Sequence, residues 1–244
     1  MKKDIAIFLF DVSGRMAEPW LRAGYECWIV DLQHPVAYET GGITREGKLV
    51  KVHADLTRPW LPPVDRNRIA FVGAFPPCDH VSVAGARWFS GKGLRKLEIS
   101  LAMFATAAEF CDWAGSPYFL ENPVSNMASH WRKSDHRFHP WHYTGFDLES
   151  NYTKTTCLWV GGGFVMPEKN IHPMVLEAVN YVIKEVGKMV PIKKALEKCK
   201  NKKLINDWYP DDRIHKCAPG PERHNIRSAT PLGFSVATFK ANSQ

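Results

Sequence analysis

Short runs of continuous apolar residues, each ended by proline, glycine or a carboxylate, punctuate the first two thirds of the chain. The first, residues 5–10, has no polar alternation and predicts a parallel strand buried on both faces. A turn at 11–15 leads to a helix predicted over 16–23, with Gly24 in the position that ends helices. Residues 26–30 give a second strand, which ends in Asp31. Residues 48–55, built on the run 49–53, give a third, which again ends in an acid, Asp55. Residues 69–74 give a fourth, which runs into Pro76-Pro77-Cys78. Leu97, Leu101, Phe104, Ala108 and Cys111 recur at helical spacing and mark one apolar face. That helix leads to a strand closed by Glu121-Asn122-Pro123. Strand and helix alternate to this point, which predicts an α/β fold built on a doubly wound, largely parallel sheet.

The pattern then changes. Residues 125–152 are rich in His, Trp, Arg and Ser and show no period. Residues 153–160, including Lys154, read as a strand ended by three glycines. Residues 174–189 read as a helix, and Pro191 begins a second helix or breaks the first. Lysines crowd the stretch from Lys184 to Lys203, either as a solvated helical face or as a patch that contacts phosphates. Residues 208–231 read as loop, and 233–239 as a short helix or strand. The expected organisation is a catalytic and cofactor-binding α/β domain over 1–163, a small helical and loop insertion over 164–222, and a C-terminal segment, 223–244, that returns to the first domain.

Composition narrows the class. With 244 residues, 45% of them hydrophobic, the chain suits one α/β domain with a smaller lobe. No apolar run approaches the roughly 18 residues of a membrane span, so no membrane partner is expected. The six cysteines show neither CxxC pairs nor metal spacing, which predicts reduced thiols in a cytoplasm and no metal site. The net charge of +7 favours a polyanionic partner. The sequence leaves the oligomeric state open.

Chemistry concentrates at two predicted strand ends. Cys78 follows a stiff Pro-Pro turn at the mouth of a parallel sheet, where α/β proteins hold ligands. Its thiolate would be a strong nucleophile that needs no metal. Glu121 lies in a similar position and can hold or donate a proton. Asp31 ends the second strand of a βαβ unit, the arrangement that grips a nucleoside ribose. Cys–His protease chemistry remains one option. A nucleophile, an acid, a nucleoside cofactor and a basic surface together fit attack on a pyrimidine ring. Trp88, Trp131 and Trp141 could stack on bases or pack internally.

These residues carry a family resemblance. The chain resembles the DNA (cytosine-5) methyltransferases, most closely the compact versions encoded by bacteriophages. Phe75-Pro76-Pro77-Cys78 resembles the Pro-Cys nucleophile loop, and Glu121-Asn122-Pro123 the Glu-Asn-Val acid motif. Residues Phe10 to Gly14 stand where the S-adenosylmethionine loop Phe-x-Gly-x-Gly-Gly belongs. The resemblance implies that Asp31 binds the ribose hydroxyls and that Asp55 reads the adenine. It also implies that Ser235, in a C-terminal motif, closes the cofactor pocket, and that Lys154 substitutes for an arginine motif. Val12 and Arg15 replace two of the glycines, and Asp79 replaces the usual Gln after the nucleophile. The large target-recognition domain has no counterpart outside 124–150 and 164–222. The implied activity is methylation of C5 of a flipped cytosine in DNA, with S-adenosylmethionine as donor. The rivals are an inactive relative that binds DNA or cofactor, a same-fold enzyme that acts on RNA or a free nucleotide or uses a modified S-adenosylmethionine donor, and a structural or interaction protein with a basic face.

Overall fold

A computed structural model describes residues 2–218, 220 and 223–243, without the side chains of Tyr38 and His224. The strands are β1 (Ile5–Leu9), β2 (Glu26–Asp31), β3 (Ile43–Glu46), β4 (Leu49–His53), β5 (Ile69–Ala74), β6 (Tyr118–Pro123), β7 (His136–Phe138) and β8 (Thr156–Gly161). They form one mixed sheet in the order β3-β4-β2-β1-β5-β6-β8-β7. Strands β4, β2, β1, β5 and β6 are parallel, while β3 runs against β4 and β8 against β6. Numbered among themselves, the parallel strands lie in the order 3-2-1-4-5, which begins the doubly wound dinucleotide-binding order. The chain moves outward from β1 on one side, then crosses to β5 on the other. The switch point therefore lies between the carboxyl ends of β1 and β5.

The connections depart from strict alternation. Helix α1 (Glu18–Arg22) joins β1 to β2. It is shorter than the predicted 16–23 because Pro19 lies in its first turn, where a missing N–H costs nothing. No α-helix joins β2 to β4; a 3-10 turn and the hairpin strand β3 take its place. Pro59, Pro62 and Pro63 keep the segment before β5 from forming a helix. Helices α2 (Phe89–Lys92) and α3 (Leu94–Ala114) lead to β6, and α4 (Met127–His130) follows it. Strands β3 and β7 were not expected. Both are short, and both are mostly polar.

By contact density the described residues divide into two compact units. The first contains residues up to 137, 155–166 and those from 238. Its sheet is covered on both faces, and every residue of β1 is buried. Ile5, Ile7 and Leu9 share one core with Val72, Leu120 and Phe104. On the opposite face, Phe71 meets Phe8, Phe119 and Phe164, and its ring stacks on Trp20 at 4.7 Å. Gly73 leaves room for this layer. A Cβ there would meet Phe8 at 3.0 Å and Phe119 at 3.2 Å.

The second unit contains residues 138–154 and 167–237. Helices α5 (Pro173–Val186), α6 (Ile192–Lys198) and α7 (Lys202–Trp208) pack around Val175, Val179, Val182, Ala195 and Ile205. The lysines face outward from this small core. The Tyr181 hydroxyl accepts from the N–H groups of Lys200 and Asn201 and fixes the turn between α6 and α7. Much of the predicted 208–231 loop is ordered by a 3-10 turn at Arg213–Lys216 and by α8 (Arg223–Ser228). Positions 219, 221 and 222 of that prediction lie outside the described residues. Of the two forms predicted for 233–239, the helix is the one present, extended as α9 (Leu232–Asn242).

Candidate active site

At the end of β1 the backbone turns sharply, and Phe10 adopts a left-handed φ of 58°. Such strain in a residue other than glycine costs on the order of 1–3 kcal/mol and concentrates at functional sites. Gly14 completes the turn with a φ of 67°. Between them Asp11 is only 4% exposed. Its Oδ1 accepts from the Gly14 N–H at 2.8 Å and the Ser13 hydroxyl at 3.0 Å. Its Oδ2 is enclosed and accepts no hydrogen bond from the described residues. Burial raises the Asp11 carboxyl above the ordinary range, and the nearby charge of Asp31 adds to the shift. Val12 and Arg15, which stand where the resemblance expects glycines, are exposed.

The neighbouring strand ends are tied to this turn through two histidines. Asp31 is buried and accepts from the Gln33 N–H at 2.7 Å. His34 Nε2 lies 3.0 Å from the Asp11 carbonyl, and His53 Nδ1 lies 2.8 Å from the His34 carbonyl. The carboxyl ends of β4, β2 and β1 are thus linked. Burial lowers the His34 pKa. His34 and His53 do not stand out in the sequence, because a lone histidine past a strand carries no signal until the sheet order brings the ends together. Asp55 lies elsewhere in this picture. It is exposed, and its Oδ1 accepts from both the Thr57 N–H and the Thr57 hydroxyl. Those bonds hold its carboxyl below the usual value.

The loops that carry Cys78 and Glu121 are fastened to each other. Strand β5 pairs with β6, with Ala74 opposite Leu120, so both motifs leave the same edge of the sheet. The Asn122 side chain donates to the Pro76 carbonyl at 2.8 Å, in the buried interior. Beyond Cys78, the Val83 N–H donates to the Val124 carbonyl and the Asn126 N–H to the Val81 carbonyl, both at 2.9 Å. Ser82 and Ser125 form an antiparallel bridge between these two bonds. The Cys78 carbonyl accepts from the Val81 and Ser82 N–H groups and closes a tight turn after the cysteine. Cys78 is half-buried and packs against the main core. Glu121 is also half-buried, and it pairs in register with Leu158 of β8.

Phe10, Gly14, Asp31, Asp55, Cys78 and Glu121 all belong to the first unit, while Lys154 and Ser235 belong to the second. Lys154 does not lie in the strand that its sequence predicts, because β8 begins only at Thr156. The preceding residues bond elsewhere: Thr153 donates to the Asp211 carbonyl from its N–H at 2.8 Å and its hydroxyl at 3.0 Å. Ser235 is fully buried in α9, and its hydroxyl donates to the Pro231 carbonyl. Compared with protein-family models and with curated proteins, the sequence matches none.

Proposed function

We propose that the chain transfers a methyl group from S-adenosylmethionine to C5 of cytosine in DNA. The observation that carries this reading is the fastening of the Cys78 loop to the Glu121 strand end through Asn122 and the bridge at Ser82 and Ser125. A nucleophile and an acid that serve one ring must keep their spacing, and buried hydrogen bonds do this at little entropic cost. Cys78 follows β5, which borders the switch point where open α/β sheets bind their ligands, and Glu121 stands near the end of the adjoining β6.

The residues around that point fit a nucleoside cofactor. Asp31 ends the second parallel strand, the position that pairs with ribose hydroxyls. Asp11, in the turn beside it, holds the backbone in place through its Oδ1 bonds to Gly14 and Ser13. When bound, S-adenosylmethionine supplies an electrophilic methyl group. Phe10, Gly14 and Asp31 would hold it. Asp55, exposed and bonded to Thr57, is a weaker candidate for reading the adenine.

In this scheme the Cys78 thiolate forms a bond from Sγ to C6 of the ring. Glu121 gives a proton or hydrogen bond to N3, and the electron pair displaced from the C5–C6 double bond becomes available at C5. After the methyl group is attached, the C5 proton leaves, the Sγ–C6 bond breaks and the double bond returns. The base must leave the duplex for Sγ to reach C6, as in other enzymes that act on bases.

Mass spectrometry of the nucleosides of DNA incubated with the protein and S-adenosylmethionine tests the reading. The expected product is 5-methylcytosine. Unmodified DNA, with cofactor binding intact, would favour a binding relative without transfer. The side chains of Val12 and Arg15 in the cofactor turn are the feature that favours that second reading.

A further inference from the structure

Three tryptophans could contact bases, and their surroundings separate them. Trp141 is buried in the core of the second unit. Trp131 is partly exposed, but it stacks on Trp159, meets Phe104 edge-on and lies under Arg132. Trp88 differs from both. It is 59% exposed, and the Arg87 guanidinium lies over its ring, 5.0 Å from the centroid.

Trp88 lies ten residues after Cys78, at the end of the 3-10 helix Val83–Trp88. The base of this loop is fixed by the bonds from Val83 to Val124 and from Asn126 to Val81. Its far side is held by Lys92, whose ammonium donates to the Asp79 carbonyl. The loop also exposes Val83 and Leu94. From His80 to Leu97 the sequence contains no acid, while Arg87, Lys92, Arg95 and Lys96 contribute positive charge. An exposed indole among cations, on a segment anchored at both ends, costs solubility without adding to the core. Its chemistry matches a nucleic-acid strand, with an aromatic face for a base and cations for phosphates.

We propose that Trp88 is a stacking platform for a base of the bound strand, next to the cytosine presented to Cys78, with Arg87 on the adjoining phosphate. This rests on the DNA reading above. It adds the residue that offsets stacking lost when a base leaves the helix.

The test is fluorescence-anisotropy binding to a single-stranded oligodeoxycytidine, measured from low to physiological salt, for the parent, Trp88→Ala, Trp88→Phe and Arg87→Ala. Trp88→Ala should bind about tenfold more weakly, the loss of one base–aromatic stack, and Trp88→Phe within about threefold of the parent. The salt slope of Trp88→Ala should equal the parent's, because a stack releases no counterions. Arg87→Ala should lower the slope by about 0.7, one phosphate on a single strand. A general loss of structure would not split the two variants in this way, and thermal melting checks it directly. Trp88→Ala binding as the parent does overturns the proposal, even if the parent methylates DNA. A parent that binds but transfers no methyl group, with Trp88→Ala weakened, overturns the reaction and leaves the platform standing. A parent that binds no single strand overturns the platform, and methylation of duplex DNA then decides the reaction separately.

Discussion

Among single residues, Cys78, Glu121, Asn122 and Asp31 carry the proposed chemistry. Cys78→Ala should abolish transfer and leave cofactor affinity within a few-fold, because the thiol acts on the base alone. Glu121→Gln should lose about 10² to 10⁴ in rate, the usual worth of a positioned general acid, with little change in cofactor affinity. An unchanged rate would make Glu121 a strand-end carboxylate only. Asp31→Ala should weaken S-adenosylmethionine binding by about 1–3 kcal/mol in calorimetry, as for a lost hydrogen bond to a charged group. Asn122→Ala removes the buried bond to Pro76 and should cost about 1–3 kcal/mol in denaturant unfolding. Cys78 and Glu121 were legible in the sequence because proline-rich strand ends announce themselves. The Asn122 bond to Pro76 was not legible, since it joins residues 46 positions apart and depends on β5 lying beside β6.

At the scale of elements, the buried runs gave β1, β2, β4, β5 and β6, because a strand covered on both faces needs continuous apolar sequence. Edge strand β3 escaped notice because one-sided pairing leaves it polar. The Thr-rich sequence around Lys154 favours a strand by β propensity, yet Thr153 bonds to Asp211 instead of the sheet. The 3-10 helix Pro140–Tyr143 makes an element-level prediction about pH. Burial depresses His142 to about 3, below the ordinary imidazole value of about 6.5. Between those values the unfolded chain binds a proton that the folded chain does not. Stability is therefore complete above about 6.5 and declines as pH falls toward 3. A His142→Gln variant should show a flatter decline in melting temperature over that window. An unaltered slope would mean that the ring reaches water.

At the scale of the whole molecule, the net charge of +7 predicts DNA binding that weakens steeply with salt. Replacing Lys198, Lys200, Lys202 and Lys203 together should reduce the salt slope by about three to four units if α6 and α7 contact phosphates. No helix among the described residues is long and apolar enough to cross a membrane. The second unit offers a three-helix core of limited size, so a short or relaxed target is expected, on the order of two to three bases, as for one small reading module. Sequencing methylated positions in random DNA checks this, and a strict site of about six or more bases would contradict it. The central claim is that Cys78 attacks cytosine. DNA carrying 5-fluorocytosine, incubated with the protein and S-adenosylmethionine, tests it most directly, because fluorine at C5 cannot leave as a proton and the sulfur–carbon bond cannot be released. A covalent protein–DNA complex should appear on a denaturing gel, with the adduct on the peptide containing Cys78 and none formed by Cys78→Ala. An adduct on another residue, or no adduct from a protein that methylates ordinary DNA, would contradict it.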